Sequence, residues 1–277
     1  MADVLLIFPG KKEKAPRLPL SVLYLATALK KAGYQPKVLD MRVESFKGLK
    51  EDDFIFAGIS TMSGSQIKYG LDVARSIRAK NPSLPLVWGG VHPTLLPGQT
   101  LKNEYVDIVV RGDGERTIVE LADALKTGQR LDGIKGLTFE KDGAVFSTPD
   151  REFVDIDTIG NLDYSLVPLD RYLDVNEYFS YQSSRGCPHE CIFCYNQCYN
   201  RGIWRKKKPE VVIEELRYLV ESLGISSFIF QEDNFFVSKE RVRQICTRII
   251  EEGWDIHWTA LNRVDYFCQY EEHLISF

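Results

Sequence analysis

The chain has 277 residues and a formal net charge of −4; 44% of its residues are hydrophobic, 27% charged and 12% aromatic. This composition excludes a disordered chain, which lacks the apolar residues needed to offset the entropy of ordering. The length suits about two domains of roughly 100–200 residues each. The acidic balance argues against a general nucleic-acid binder.

The chain also lacks the sequence patterns of membrane and secreted proteins. No apolar run approaches the roughly 20 residues of a membrane span. The N-terminal sequence MADVLLIFPG has no basic segment ahead of its apolar stretch, so it predicts a strand and not a signal peptide. We therefore expect a cytoplasmic protein.

Strands and helices alternate through the first half of the chain. Short apolar runs predict buried strands, and runs with a 3.6-residue period predict helices. This alternation is typical of a doubly wound α/β sheet with right-handed crossovers. The predicted elements are strands at Val4–Phe8, before Asp40, and at Phe54–Ser60, Leu86–Trp88 and Asp107–Val110, and helices at Leu20–Ala32, Ser65–Ala79 and Glu115–Leu125.

The periodicity then changes and later restarts. Gly136–Glu140 and Ala144–Ser147 flank a turn and predict a β-hairpin. The later predicted elements are a strand at Phe179–Ser184, a helix at Pro209–Ser222, a strand at Ser226–Gln231, a helix at Lys239–Glu251 and a strand at Ile256–Leu261. We predict a Rossmann-like domain at residues 1–147, a surface connector at 148–178 and a second α/β domain at 179–277.

The cysteines indicate a metal or cluster site. None of the six precedes Cys187, whereas a disulfide framework would spread them through a small secreted domain. Cys187, Cys191 and Cys194 form C-x3-C-x2-C, and three thiolates on one short loop can bind three irons of a cubane cluster. The alternative is a structural zinc knuckle with Cys198 or His189 as fourth ligand, although zinc sites usually come as two separated pairs.

This segment resembles the radical S-adenosylmethionine superfamily, whose signature is C-x3-C-x2-C with an aromatic residue, here Phe193, before the last cysteine. The resemblance implies that Cys187, Cys191 and Cys194 ligate a [4Fe–4S] cluster. It further implies that S-adenosylmethionine binds the open iron and is cleaved by electron transfer to a 5′-deoxyadenosyl radical. Cys198 lies outside the signature.

Three further residues are implied as contacts of S-adenosylmethionine, together with Phe193. Glu232 and Asp233 follow a predicted strand, where α/β enzymes place ligand groups, and match the acidic patch of the family. Arg263 resembles a strand-end arginine of the family that could pair with the cofactor carboxylate. The alternatives are a helix start capped by Asn234 or Ser238, and a surface salt bridge of Arg263.

A second ligand site is predicted in the first domain, where two strands end in Ser60–Met62 and Gly89–Gly90. Glycines there let the backbone approach a bulky ligand, and hydroxyls can bond it. The runs Pro19–Ala26, Trp88–Pro97 and Asp107–Thr117 resemble the cobalamin-binding domain fused to one class of radical S-adenosylmethionine enzymes. That resemblance implies cobalamin contacts from Ser60, Thr61, Met62, Gly89, Gly90, Val91, His92, Gly112 and Glu115.

The sequence departs from one type of cobalamin domain. Domains that replace the lower axial base with histidine carry D-x-H-x-x-G, whereas here the corresponding region reads Glu13–Leu18, and no histidine precedes His92. We therefore expect cobalamin without a histidine ligand from this loop, as in the radical enzymes. His92 is either a corrin contact or a structural loop residue.

The second domain has room for only three strands. The family's barrel has six βα units of roughly 30 or more residues each, so residues 179–277 predict the N-terminal half of a (βα)6 partial barrel. We expect the chain to be an N-terminal fragment of a longer enzyme. The alternative is a complete protein that closes its sheet differently.

The resemblance predicts a cobalamin-dependent radical S-adenosylmethionine enzyme, of methyltransferase or anaerobic porphyrin cyclase type, that methylates or rearranges an unactivated carbon. Its cofactors would be a [4Fe–4S] cluster, S-adenosylmethionine and cobalamin, which carry the difficult chemistry. Its partners would be a small-molecule substrate and an electron donor such as flavodoxin or ferredoxin. The alternatives are a non-catalytic carrier or sensor, an inactive fragment, or a zinc-stabilised nucleic-acid module around the basic run Arg201–Lys208.

Overall fold

The apolar runs of the first half form a seven-stranded sheet in the computed structural model, which describes residues 3–46, 54–173 and 178–267. Its strands are β1 (Val4–Phe8), β2 (Pro36–Asp40), β3 (Phe56–Ser60), β4 (Leu86–Gly89), β5 (Ile108–Val110), β6 (Leu137–Lys141) and β7 (Ala144–Ser147). Its helices are α1 (Leu20–Lys31), α2 (Ser65–Lys80), α3 (Val91–Leu95), α4 (Pro97–Leu101) and α5 (Glu115–Thr127).

The strand order is β2-β1-β3-β4-β5-β6-β7, and the first five strands are parallel. The chain moves outward from β1 to β2 and then in the opposite direction from β3 to β5. Right-handed crossovers therefore put the helices on both faces. Helix α1 contacts α5, whereas α2 buries Val73, Ala74 and Ile77 in a core shared with β1, β3 and β4.

The hairpin β6–β7 adds two antiparallel strands at one edge of the sheet. Asp142 and Gly143 in its turn both have positive φ, of 53° and 76°. Two successive residues of this kind define the tight turn whose twist matches a hairpin. The Asp-Gly pair predicted from sequence therefore forms because its backbone can adopt this conformation.

The second half forms a three-stranded parallel sheet and a small antiparallel pair. The strands are β8 (Phe179–Tyr181), β9 (Ser184–Arg185), β10 (Arg205–Lys206), β11 (Ser227–Phe230) and β12 (His257–Ala260). The helices are α7 (Asn196–Tyr199), α8 (Pro209–Arg217), α9 (Lys239–Glu251) and α10 (Val264–Phe267). The parallel sheet has the order β12-β11-β8, and β9 pairs with β10.

The chain divides into two compact units, one of residues 1–154 and 162–171 and the other of residues 155–161 and 172–277. Near these boundaries the chain forms single turns, at Ile156–Thr158, Tyr164–Leu166 and α6 (Asp170–Leu173). The main-chain N–H of Asp163 donates to Thr27 Oγ1 at 3.1 Å. This bond explains why 162–171 group with the first unit. Among the described residues, no helix has the length and apolar character needed to cross a membrane.

The predicted doubly wound class is confirmed, and most predicted boundaries lie within two residues of the observed ones. The prediction for Phe179–Ser184 was wrong in part, because the strand ends at Tyr181 and Ser184 begins β9. Helix α8 ends at Arg217 and a π-helical turn continues to Ser222. Single-turn helices α3 and α4 were missed, since five residues are too few to show a period. Cys268 and residues 270–277 lie outside the described residues.

Candidate functional site

The candidate ligand edge of the first unit is the carboxyl end of its parallel strands. Strands β1 and β3 are neighbours, and the chain leaves them in opposite directions. In open α/β sheets, a crevice forms where the strand order reverses, and ligands bind there. The residues that follow β1, β3 and β4 surround this switch point. They include most of the predicted cobalamin contacts.

The ends of β3 and β4 are bonded to each other through Thr61. Its main-chain N–H donates to Gly89 O at 2.9 Å, and its carbonyl accepts the N–H of His92 at 3.2 Å. The Thr61 side chain is 1% exposed, and its hydroxyl has no hydrogen-bond partner within the described part of the chain. A buried hydroxyl without a partner is costly. It therefore marks a position where a ligand can supply the missing bond.

Gly90 is required by the packing of the protein itself. Its φ is +93°, and a Cβ there would lie 2.7 Å from Thr61 O and 2.9 Å from Thr61 N. The sequence interpretation was that Gly90 leaves room for a ligand, but that space is filled by the end of β3. A Cβ on Gly89 would make only ordinary contact, at 3.5 Å from Val110 O. A role of either glycine toward cobalamin stays a prediction.

The remaining predicted contacts lie on the segments that follow these strands. Met62 is 49% exposed. His92 Nδ1 shares a hydrogen bond of 3.1 Å with Ser63 Oγ, and the N–H of Gly112 donates to Thr94 Oγ1 at 3.0 Å. Val91 begins α3 and Glu115 begins α5. Ser60, at the end of β3, donates to Ser21 Oγ at 3.0 Å.

An ion pair that sequence reasoning missed holds the loop after β1. Arg42 donates from Nε to Asp40 Oδ1 at 3.0 Å and from Nη2 to Asp40 Oδ2 at 2.7 Å. Its Nη2 also donates to Arg17 O at 2.7 Å, and its guanidinium lies 4.3 Å from the centre of the Phe8 ring. The hydrogen bond to Arg17 therefore holds the loop that contains Glu13–Leu18 beside the switch point. Only the position of Asp40 at the end of β2, with Arg42 two residues later, could have signalled this arrangement.

In the second unit, the cysteine loop follows β8 and is closed at its base by the pair β9–β10. Cys187 is buried, Cys191 and Cys194 are half-buried, and Cys198 is exposed. Ile192 and Phe193 protrude from the loop, and 90% of Phe193 is exposed. The predicted contact of Phe193 with S-adenosylmethionine stays a prediction.

Donors from the two neighbouring strand ends are directed at the sulfur atoms. After β12, Arg263 Nη1 donates to Cys191 Sγ at 3.0 Å. After β11, Asn234 Nδ2 lies 3.9 Å from Cys187 Sγ, while its Oδ1 accepts the N–H of Phe236 at 3.2 Å. Hydrogen bonds to ligand sulfurs tune an iron–sulfur cluster.

Arg263 also forms the predicted salt bridge. Its Nε and Nη2 donate to Asp265 Oδ1 and Oδ2 at 3.0 and 3.1 Å. The hydrogen bonds to Asp265 raise the pKa of Arg263, and Arg263 lowers the pKa of Asp265. The guanidinium is thus held between a carboxylate and a sulfur. Its contact with a cofactor carboxylate stays a prediction.

The carboxylates of Glu232 and Asp233 both accept hydrogen bonds from other residues of the second unit. Glu232 is buried, and it accepts hydrogen bonds from Ser183 N at 3.3 Å, from Ser183 Oγ at 2.8 Å and from Ser184 Oγ. Burial raises the pKa of Glu232 to about 7. Asp233 accepts the N–H of Gly186 at 3.0 Å and the hydroxyl of Tyr195 at 3.1 Å.

The alternative reading of this segment as a helix start is also present. Asn234 caps the short turn at Phe235–Val237, and Ser238 caps α9 through the N–H of Arg241 at 3.3 Å. Sequence reasoning missed Ser183, Ser184 and Tyr195. Nothing in their spacing marks them as partners of residues 38 to 49 positions further along the chain.

The donors of the cysteine loop fit a cubane cluster. In residues 3–46, 54–173 and 178–267, no group of three His, Cys, Asp or Glu side chains could hold one metal ion. The three thiolates of a cubane bind three different irons, so they need not converge on one point. Cys187, Cys191 and Cys194, with Arg263 and Asn234 directed at two of the sulfurs, fit such a group.

The chain is similar in sequence to several known proteins. Residues 16–122 match the B12 binding domain. An uncharacterized methyltransferase of Pyrococcus horikoshii is 35% identical over 95% of this chain and 60% of its own length. The anaerobic magnesium-protoporphyrin IX monomethyl ester cyclase of a Synechocystis species is 29% identical over 92% of this chain and 52% of its own length. The chain thus spans little more than half of these curated relatives.

Two solved structures share the fold. The radical S-adenosylmethionine methyltransferase TsrM from Kitasatospora setae, with cobalamin and a [4Fe–4S] cluster bound, has a TM-score of 0.75 and 18% identity over 91% of this chain and 53% of its own. The cobalamin-dependent S-adenosylmethionine radical enzyme OxsB, with aqua-cobalamin bound, has a TM-score of 0.76 and 21% identity over 99% of this chain and 41% of its own.

The fold and the relatives agree with the resemblance found in the sequence. Residues 16–122 match the B12 binding domain, and the α/β fold is shared with TsrM and OxsB. The relatives named in the comparison are methyltransferases and cyclases, as the resemblance implied.

Proposed function

We propose that this chain belongs to an enzyme that uses cobalamin and a [4Fe–4S] cluster with S-adenosylmethionine to methylate or rearrange an unactivated carbon of a small molecule. The observation that carries the proposal is the loop of Cys187, Cys191 and Cys194 at the end of β8, with Arg263 directed at Cys191. When bound, the three cofactors supply electron transfer, the radical and a carrier for the transferred group.

The residues of the chain hold and orient these groups. The cluster would be ligated by Cys187, Cys191 and Cys194. The guanidinium of Arg263 would donate a hydrogen bond to Cys191 Sγ. The predicted domain at residues 1–147 would hold cobalamin at the strand ends, where Thr61 offers a buried hydroxyl without a partner among the described residues. The domain at residues 179–277 would hold the cluster and S-adenosylmethionine.

The partners follow from this chemistry. Reductive cleavage needs an electron donor, and a small protein such as flavodoxin or ferredoxin would serve. A reducing cytoplasm keeps the three thiols free to bind iron. Tryptophan is bound in one TsrM structure, and we infer a small-molecule substrate here as well.

The cluster is tested by anaerobic reconstitution of the chain with iron and sulfide. We expect about four irons per chain, as a cubane requires. A protein extended to the length of its relatives should also form 5′-deoxyadenosine after reduction with S-adenosylmethionine. The triple variant Cys187→Ala, Cys191→Ala, Cys194→Ala should bind no iron. Stoichiometric zinc without iron uptake would refute the enzyme and favour a structural metal site. A cluster without 5′-deoxyadenosine, in a protein extended to the length of its relatives, would favour a carrier or sensor.

Cobalamin is tested by absorbance titration and by electron resonance of the cobalt(II) form. We expect a base-off spectrum without histidine nitrogen coupling, because no histidine lies in Glu13–Leu18. Thr61→Val should weaken binding about two- to tenfold, the value of one hydrogen bond, without lowering the stability of the free protein. The control is Thr100→Val, since that buried hydroxyl already donates to Leu96 O at 2.9 Å. A histidine coupling would contradict the prediction.

A further inference from the structure

We propose that Asp233 is a positioning residue that holds the cysteine loop closed from both of its ends. This inference rests on the proposed function, because it assigns the loop to a cluster. It differs from the cofactor contact that the family resemblance implies for Asp233. The inference is based on the hydrogen bonds of the Asp233 carboxylate.

The two oxygens of Asp233 reach the two ends of the ligand segment. Oδ2 accepts the main-chain N–H of Gly186 at 3.0 Å, and Gly186 immediately precedes Cys187. Oδ1 accepts the hydroxyl of Tyr195 at 3.1 Å, and Tyr195 immediately follows Cys194. All three cysteines of the motif therefore lie between the two points that a single side chain connects.

The neighbouring residue holds the base of the same loop. Glu232 accepts from the main chain and hydroxyl of Ser183, while Arg241 of α9 donates to Ser183 O at 3.1 Å and Ser183 Oγ at 2.9 Å. Arg241 Nε also donates to Lys207 O at 3.0 Å, just beyond β10. The segments that enter and leave the loop are thus fixed from β11 and α9. The residue before Asp233, Glu232, is therefore itself fixed by hydrogen bonds.

This arrangement has a physical purpose in a loop that binds a cluster. An unrestrained loop loses conformational entropy when one cluster fixes its three cysteines. A link between its two ends removes part of that entropy in advance, as preorganisation does for any ligand. The bonds of Asp233 need no metal, so they act in the cluster-free protein as well.

The test measures thiol reactivity in the metal-free chain. Cys187 is buried and Cys198 is exposed, so Cys198 serves as an internal reference for alkylation followed by mass spectrometry. Asp233→Ala should raise the labelling rate of Cys187 relative to Cys198 at least about fivefold, because the Gly186 side of the loop is released. Tyr195→Phe removes one of the two bonds and should give a smaller increase. Asp233→Asn keeps an acceptor for Gly186 N and should restore slow labelling.

The control is Asp255→Ala, which removes an exposed carboxylate of the same unit. It should leave the ratio unchanged, and circular dichroism should show that each variant is folded. Unchanged labelling in both Asp233→Ala and Tyr195→Phe would overturn the proposal. If Asp233→Ala fails to fold, Tyr195→Phe alone decides it.

A second measurement separates positioning from cofactor contact. In reconstituted protein, Asp233→Ala should lose iron to a chelator at least about tenfold faster than wild type. Its affinity for S-adenosylmethionine should fall no further than its cluster content does. An unchanged rate of iron loss with weaker S-adenosylmethionine binding would show a cofactor contact instead. If the wild type binds no cluster, the proposed function fails, whereas the labelling of the metal-free chain still decides the role of Asp233.

Discussion

The conformation of the cysteine loop depends strongly on one residue, Gly186. Its φ is +85°, and a Cβ would lie 2.2 Å from Ile203 O. The residue therefore needs both a left-handed backbone and the absence of a side chain. It links Arg185 of β9 to Cys187, so any shift moves the first cysteine.

Gly186→Ala should accordingly destabilise the second unit by about 3 kcal/mol, because backbone strain and a backbone clash add. Gly202→Ala is the matched control. Gly202 also has a positive φ, of +67°, but its Cβ would make only ordinary contact with Gln197 Oε1 at 3.5 Å. That variant should cost about 1 kcal/mol. Urea denaturation measures both, and equal losses would show that crowding by Ile203 is unimportant.

Glu232 makes the stability of the second unit depend on pH. Burial raises its pKa from an ordinary 4.5 to about 7. Between these values the folded state holds a proton that the unfolded state has released, so raising the pH favours unfolding. The contribution is most favourable below the unfolded pKa and is lost as the pH passes through the folded pKa.

We expect the free energy of unfolding of Glu232→Gln to change less between pH 4.5 and pH 7 than that of the wild type. The denaturant midpoint at several pH values measures this difference. Glu240→Gln provides a comparison, because Glu240 is exposed and Arg243 lowers its pKa. A parallel pH dependence of wild type and Glu232→Gln would refute the assignment to Glu232.

At the scale of elements, the loop after β1 depends on the buried pair of Arg42 and Asp40. Arg42→Leu should destabilise the first unit by about 3–5 kcal/mol, since it removes the guanidinium that bonds both oxygens of the buried Asp40 carboxylate. It should also speed tryptic cleavage at the exposed Lys11, Lys12 and Lys14. Denaturation and timed proteolysis measure the two effects.

The control for this prediction is Arg130→Leu. Arg130 is exposed and pairs with Asp132 on the surface, so its loss should change stability by no more than about 0.5 kcal/mol. Unchanged cleavage in Arg42→Leu would mean that the loop is held by other contacts. The result also concerns the proposed cobalamin binding, because this loop borders the switch point of the sheet.

The elements differ in how far the sequence could predict them. Apolar runs such as Val4–Phe8 and Phe56–Ser60 were recognisable because parallel strands covered on both faces are apolar throughout. Helix α9 was predicted to the residue, since Ser238 caps it and its apolar period is clear. Strands β9 and β10 have two residues each. They form only because the cysteine loop brings Arg185 and Arg205 together.

The candidate sites show the same limit. The spacing of Cys187, Cys191 and Cys194 was enough to predict a cluster site, because ligands on one short loop leave a local pattern in the sequence. The contacts of Asp233 with Gly186 and Tyr195 join residues far apart in sequence, so only tertiary structure reveals them. A polar residue at a strand end predicts a site, but not which way its side chain turns.

For the whole molecule, the division into two compact units predicts that cobalamin and the cluster bind independently of each other. The triple variant Cys187→Ala, Cys191→Ala, Cys194→Ala should bind cobalamin within about twofold of wild type, because the candidate cobalamin residues belong to the other unit. Thr61→Val should conversely leave iron content unchanged. Absorbance titration and iron analysis measure the two effects. Loss of cobalamin binding in a folded triple variant would show that the units load together.

The bonding of Thr61 to Gly89 and His92 has a calorimetric consequence. These main-chain hydrogen bonds join the ends of β3 and β4 without help from a ligand. Binding at this edge therefore needs little ordering of the chain. The heat-capacity change of cobalamin binding should reflect the apolar area that is covered, without the larger change that accompanies coupled folding. The first unit would then receive its ligand almost as a rigid body.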